Sequence, residues 1–384
     1  MTDSARRHWL RRVGASALAS AGGFAPAAAT HASTTTYPDV VRGAPLAFPR
    51  DHGAHDAYRT EWWYLTGWLE RIDGARRGEP AGVQITFFRT RTHHDPADPS
   101  RFAPVQLLFA HAALALPERA VLIPAQRAAR KGLGLAHASR SDTEVAIANW
   151  SLLRDADDVY QAHITDASLA IELSFRARAQ PLLQGDAGFS RKGPRPTQAS
   201  YYYSRPQLEV RGTIGVDARR DTVEGVAWLD HEWSSEILDP SAVGWDWVGL
   251  NLDDGSALTA FRIRTRDGAT LWSYARQAVL ATPHPSPAGK PAWHAQRADE
   301  PSVRFEPLRH WTSPRTGVRY PVAMRLSIDA RTFTLEPLFD DQELDTRATT
   351  GVVYWEGAVR VLEAGRVIGR GYLELTGYEV RVVF

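Results

Sequence analysis

An all-β protein of two antiparallel units is predicted by three observations: many short runs with a two-residue apolar period, hairpin punctuation between them, and a length of 384 residues. Strict alternation belongs to strands with one packed and one wet face, and many such strands joined by tight turns build a sandwich or a barrel. The length favours two domains over one.

Taken in chain order, the amino terminus stands apart. Arg6-Arg7-His8-Trp9-Leu10-Arg11-Arg12 precedes an Ala/Gly-rich apolar run over residues 13–24, and then small-residue sites at Ala27-Ala28-Ala29 or Thr30-His31-Ala32. A cationic head, a short apolar stretch and a small-residue cut make up a secretory signal, and the paired arginines resemble the twin-arginine (Tat) type. Residues 1–32 are therefore assigned to a Tat-type signal, and the mature protein is expected to be soluble and periplasmic. The apolar run is too short to span a bilayer and no later segment is long enough, so no integral membrane segment is expected after signal removal.

From residue 45 onward strand signals dominate. Leu169, Ile171, Leu173 and Phe175 alternate with Glu172, Ser174 and Arg176; Val322, Met324, Leu326 and Ile328 repeat the period, as do Phe333 and Leu335. Asp253-Asp254-Gly255 lies between two apolar runs and reads as a hairpin turn, because glycine accepts the positive φ such turns need. Residues 70–77, 266–268 and 362–366 read as further hairpin loops, and 91–102 and 282–301 as long surface loops. Residues 120–131 read as one short helix. The Asp/Pro/Ser-rich segment 234–244 marks a boundary between an N-terminal domain at 45–238 and a C-terminal domain at 239–384.

Composition excludes several functions. Lys+Arg 45 against Asp+Glu 44 leaves a net charge of +1, so no electrostatic footprint for nucleic acid exists. With 0 Cys there are no disulfides, thiolate metal sites or cysteine nucleophiles. No nucleophile elbow, phosphate loop, dinucleotide fingerprint or zincin motif is present, which disfavours a standard serine hydrolase or zinc protease. His93-His94-Asp95 lacks a third ligand at a suitable spacing, and His111 reads as a core histidine. No metal or cofactor is expected. The 13 Trp, 12 Tyr and 13 Phe suit an aromatic-lined cavity as well as a barrel core.

Chemistry concentrates in four clusters. In Trp228-Leu229-Asp230-His231-Glu232-Trp233, a strand puts Asp230 and Glu232 on one face, about 7 Å apart, and His231 with Trp233 on the other. If that face is enclosed, the two carboxyls disfavour each other's charge and one holds a proton near neutral pH, as a general acid must. The alternative is that these acids pair with arginines while the tryptophans fill the core. Asp246 between Trp245 and Trp247 poses the same choice. Glu61, before Trp62, Trp63 and Tyr64, fits a structural hydrogen-bonding role or a ligand contact. The run Tyr201-Tyr202-Tyr203 sends Tyr201 and Tyr203 one way and Tyr202 the other. The catalytic candidates are thus Asp230, His231, Glu232 and Asp246. The ligand-binding candidates are Glu61, Trp62, Tyr201, Tyr203, Trp233, Trp245 and Trp247.

These clusters carry a resemblance. Thr60-Glu61-Trp62-Trp63-Tyr64, Gln84-Ile85-Thr86-Phe87-Phe88-Arg89, Gly193-Pro194 with Ser200-Tyr201-Tyr202-Tyr203-Ser204, Trp228 to Trp233, Gly244-Trp245-Asp246-Trp247 and Gly371-Tyr372-Leu373-Glu374-Leu375-Thr376-Gly377-Tyr378 together resemble the AttH/CrtC family, which includes carotenoid 1,2-hydratase. The resemblance implies two tandem lipocalin-like antiparallel barrels packed together, with few short helices. It implies either a periplasmic protein that binds an apolar lipid or polyene-like molecule as accessory to an ABC-type export permease, or a hydratase-like enzyme (a hydro-lyase or hydrolase). In the second case a buried acid protonates an apolar substrate and indole faces stabilise the cation.

Overall fold

The computed structural model describes residues 36–95, 97–100, 102–281, 290–295 and 302–382. The leader expected at 1–32 and most of the 282–301 loop lie outside them. Two antiparallel sheets account for the fold. The first runs Val121–Arg130, Gln106–Leu116, Pro80–Arg91, Thr60–Arg71, Arg219–Ser234, Ala199–Val216, Leu169–Arg176 and on through Val159–Thr165 to Ala136–Ala138. It curls until its terminal strand meets the far hairpin, where Arg127 Nη2 donates to the Thr165 carbonyl (3.0 Å) and Ser168 Oγ to that of Pro124 (3.1 Å). The second runs Trp293–Ala295, Thr270–Leu280, Ala257–Thr265, Ala242–Leu252, Arg366–Leu375, Val353–Glu363, Arg331–Pro337, Arg319–Ile328 and Val303–Thr312. It curls likewise, bringing Arg331 Nη1 to Gln277 Oε1 (2.9 Å) and Arg262 Nη1 to the Phe305 carbonyl (3.1 Å). Two lipocalin-like antiparallel barrels result.

Each barrel has its own apolar interior, and a third core lies between them. Strand Thr60–Arg71 sends Trp63, Leu65 and Leu69 into the first barrel and Tyr64 and Trp68 toward the second. Strand Arg219–Ser234 does the same with Leu229 and Trp233 against Trp228. Thr60–Arg71 along most of its length and Arg219–Ser234 from residue 227 onward are buried on both faces, so neither shows a clean apolar–polar alternation.

Residues 120–131 correct an expectation. They form strand Val121–Arg130, paired in register with Gln106–Leu116 from Leu116↔Val121 to Leu107↔Arg130. Pro124 opposes a helix interior, having no N–H and clashing with the preceding turn, yet it fits the terminal strand of a sheet. Helical turns among the described residues are two short 3₁₀ segments, Arg50–His52 and Gly74–Arg76.

The barrels pack tightly against each other at Gly82. A Cβ there would lie 2.5 Å from Tyr372 Oη and 2.9 Å from Ala358 Cβ, both on the second barrel. Gly82→Val is expected to destabilise the protein by about 1–3 kcal/mol through overpacking, measured by denaturant titration. A variant as stable as the parent would show that the barrels separate freely at this point.

Candidate functional site

Between the barrels, the shared aromatic core opens into a cleft of about 730 Å³ counted out to its mouth. The first barrel supplies Trp62, Phe88, Asp230, Glu232 and Lys192 to its lining, and the second supplies Trp245, Trp247, Phe261, Glu356 and Glu374. Register explains the grouping, because residues directly opposite each other on paired strands share a face. Glu232 sits between Trp62 and Tyr202, and Asp230 between Tyr64 and Ser204. On the other wall Glu374 sits between Trp247 and Glu356.

Asp230 is buried and receives three hydrogen bonds, from Ser204 Oγ (2.5 Å), Trp228 Nε1 (2.6 Å) and Tyr202 Oη (2.6 Å). Burial raises its pKa to about 7, with help from the charge of Glu232 and against those three donors. Glu374, lining the cleft with partial exposure, is pushed up to about 8 by burial and by the charges of Asp230 and Glu232, opposed by a hydrogen bond from Trp245. Glu356 rises well above the carboxylate range, through burial and its neighbour Glu374, and accepts one bond, from Tyr64 Oη (2.8 Å). Glu356 and Glu374 face each other across adjacent strands, so their charges are coupled and the pair keeps a proton near neutrality. Glu232 differs: the Lys192 ammonium lies 2.9 Å from its Oε1 as an ion pair, off the line of a hydrogen bond.

The remaining predicted residues do not line this cleft. His231 and Trp233 point into the first barrel, as strand alternation requires. There Glu61, fully buried, accepts from His231 Nε2 (2.9 Å), from His55 Nδ1 (2.7 Å) and from Arg89 Nε (2.7 Å). His55 Nε2 reaches Asp51 Oδ1 (3.1 Å), and its ring stacks on Trp233 at 3.6 Å between centroids. Tyr203 Oη lies 3.1 Å from His231 Nδ1 and 2.7 Å from His52 Nδ1. Tyr201 ties its hydroxyl to the backbone of Val41. Burial opposes charge throughout, but Arg89 and His55 outweigh it at Glu61 and hold that carboxyl well below its usual range. At His55 the charges and hydrogen bonds of Glu61 and Asp51 outweigh burial and raise the pKa. Burial keeps His231 low, hence neutral.

Glu61, Tyr201, Tyr203 and Trp233, expected as ligand contacts, lie away from the cleft: the polar atoms of Glu61, Tyr201 and Tyr203 bond within the protein, and the Trp233 ring packs on His55. Asp246, expected as a catalytic candidate, also lies away from the cleft. It faces the second barrel's interior, buried against Arg262 Nε (2.6 Å), Arg264 Nε (2.9 Å) and Tyr378 Oη (2.9 Å), the ion-paired alternative. Of the catalytic candidates, Asp230 and Glu232 reach the cleft and His231 and Asp246 do not. Sequence reasoning missed Lys192, Tyr202, Glu356 and Glu374. A signal existed for two of them: a glutamate in mid-strand among apolar residues, in Val353–Glu363 and again in Arg366–Leu375.

His55 Nδ1, Glu61 Oε1 and His231 Nε2 lie within metal-chelating distance of one another. Their separations are hydrogen-bond lengths, and Arg89 already supplies a cation to Glu61, so the group reads as a closed polar network. His111 is a satisfied core histidine, bonded to Tyr354 Oη (2.8 Å) and Thr349 Oγ1 (3.0 Å).

Residues 39–378 match the AttH-like family model. The chain belongs to the AttH-like family. The structure of an AttH-type protein from Nitrosomonas europaea is similar at 45% identity and a TM-score of 0.78, covering 89% of this chain and 99% of that one. Kievitone hydratase from Nectria haematococca shares the fold at 13% identity (TM-score 0.64; 89% and 96% covered). CghA, crystallised with Sch210972, shares it at 13% identity (TM-score 0.53; 92% and 97% covered). Among curated proteins none matches. In this AttH-like chain the cleft and the Glu61 network are thus separate constellations on opposite faces of the same two strands.

Two outcomes are expected. Glu61→Gln leaves buried Arg89 without its counter-charge and should cost about 3–5 kcal/mol by denaturant titration; a loss below about 1 kcal/mol would mean the network is not a stability element. Asp230 and Glu374 have folded values above their unfolded ones. Their stabilisation is therefore full below the ordinary carboxylate range and lost as pH rises through about 7 and 8. Stability should fall between about pH 4 and pH 8, and Asp230→Asn with Glu374→Gln should flatten that slope. An unchanged slope in the double variant would place the titration elsewhere.

Proposed function

We propose that this AttH-like protein binds an apolar small molecule in the inter-barrel cleft and acts on it by proton transfer, as a hydro-lyase adds water to an unactivated double bond. The observation that carries this reading is a set of buried carboxyl groups without counter-ions and with raised pKa, Asp230 and the Glu356–Glu374 pair, facing a cleft walled by Trp62, Trp245 and Trp247. A carboxylic acid in such a place delivers its proton to one alkene carbon, and the π pair becomes the new C–H bond. The cation left on the other carbon lies among indole and phenyl faces, which attract it. Water adds to that carbon, and its surplus proton returns to a carboxylate, either the donor or Glu232. The name of the distant fold relative kievitone hydratase is consistent with such chemistry.

A carrier without turnover is the second reading. It is favoured by the three donors converging on Asp230, which would fix a carboxylate in place as well as tune an acid. Under either reading we propose a periplasmic location, from the twin-arginine-like leader, and for the carrier an ABC-type permease as partner.

The test is incubation of the protein with isoprenoid and polyene alkenes in oxygen-18 water, followed by mass spectrometry of the products. The expected result is a gain of one water. Glu374→Gln and Asp230→Asn should slow it by about 10²–10⁴-fold while alkene affinity stays within about threefold. Ligand bound but never hydrated, by parent and variants alike, would decide for the carrier.

A further inference from the structure

The cleft has a charge character that an apolar-ligand site does not require. On its first wall Lys192 Nζ lies 4.1 Å from the ring centroid of Phe261 and 4.5 Å from that of Tyr202, so the cleft already holds one cation against aromatic faces. That cation is matched by Glu232. On the opposite wall Glu356 and Glu374 stand side by side, each with one hydrogen-bond donor (Tyr64 and Trp245), and among the described residues no basic side chain pairs with them or with Asp230. Trp62 and Trp245 are half-buried, with their rings on the same space. Acidic groups without counter-ions beside indole faces form a box for positive charge.

We infer that the cleft selects apolar molecules that carry a positive charge, alkylammonium ions being the stable representatives, and rejects apolar anions. This rests on the reading of the cleft as the ligand site, and under that reading the ammonium stands in for the cation formed in hydration. On binding, a neutral carboxyl of the Glu356–Glu374 pair releases its proton to solvent and the remaining carboxylate balances the ammonium. A fatty carboxylate would instead meet carboxyl groups on both walls, with Lys192 already paired.

The experiment is isothermal titration of the full chain with N,N-dimethyldecylamine, 1-decanol and decanoate, which share a tail and differ in head charge. The amine is expected to bind at one site about tenfold or more tighter than decanol, with decanoate weakest. Glu356→Gln with Glu374→Gln should erase the amine's advantage over decanol. Trp62→Leu, at a half-buried ring that no barrel interior depends on, should lower amine affinity about threefold or more and provides a second route if the double variant misfolds. Amine and decanol binding equally, or decanoate binding as well as the amine, would overturn the inference and leave the apolar-ligand reading standing. Failure of all three to bind would overturn both.

Discussion

Strand Thr60–Arg71 and the 227–234 half of Arg219–Ser234 are packed on both faces, and the rest of the molecule is arranged around that constraint. A side chain on either strand must enter the first barrel or face the second, and neighbours in sequence enter different compartments. Asp230 and Glu232 therefore cannot share a site with His231, however close they lie along the chain. The fold separates the polar residues of one short segment into two chemistries.

The compartments differ in how buried charge is met. Around Glu61, Arg89, His55 and His231 supply donors and positive charge until the carboxylate is fully compensated, and it stays ionised. In the cleft, carboxyls outnumber cations and donors come from neutral Tyr, Ser and Trp side chains. Protonation is then the cheaper way to remain buried. The same residue type acts as a fixed anion in one place and as a proton reservoir a few ångströms away through the sheet.

The fold was largely legible in the sequence. Outer strands such as Leu169–Arg176 alternate cleanly because one face is wet, and the turn at 253–255 needs a glycine that accepts positive φ (83° at Gly255). The error at 120–131 came from reading an Ala-rich segment by propensity when Pro124 and the preceding hairpin decided the matter. The site was legible in part. The face split at Asp230 and Glu232 followed from strand periodicity alone. The second wall did not, because Glu356 and Glu374 meet the first barrel only through docking, and no local pattern states which outer face of one barrel will cover another. Asp246 looked equivalent to Asp230 in its indole surroundings. Its place inside the second barrel, against the arginines at 262 and 264 and Tyr378, distinguishes it.

The order of strands in the second sheet has a consequence for biosynthesis. Its final strand, Arg366–Leu375, is inserted between Ala242–Leu252 and Val353–Glu363, in the middle of the sheet. Until that segment has left the ribosome, the sheet cannot close and the cleft lacks Glu374. A nascent chain that has not yet presented residues 366–375 thus leaves strand edges and apolar surface unpaired, the state in which chaperones bind. Insertion of Arg366–Leu375 and completion of the cleft are one event, because that strand carries both the central pairing of the sheet and the wall residue Glu374.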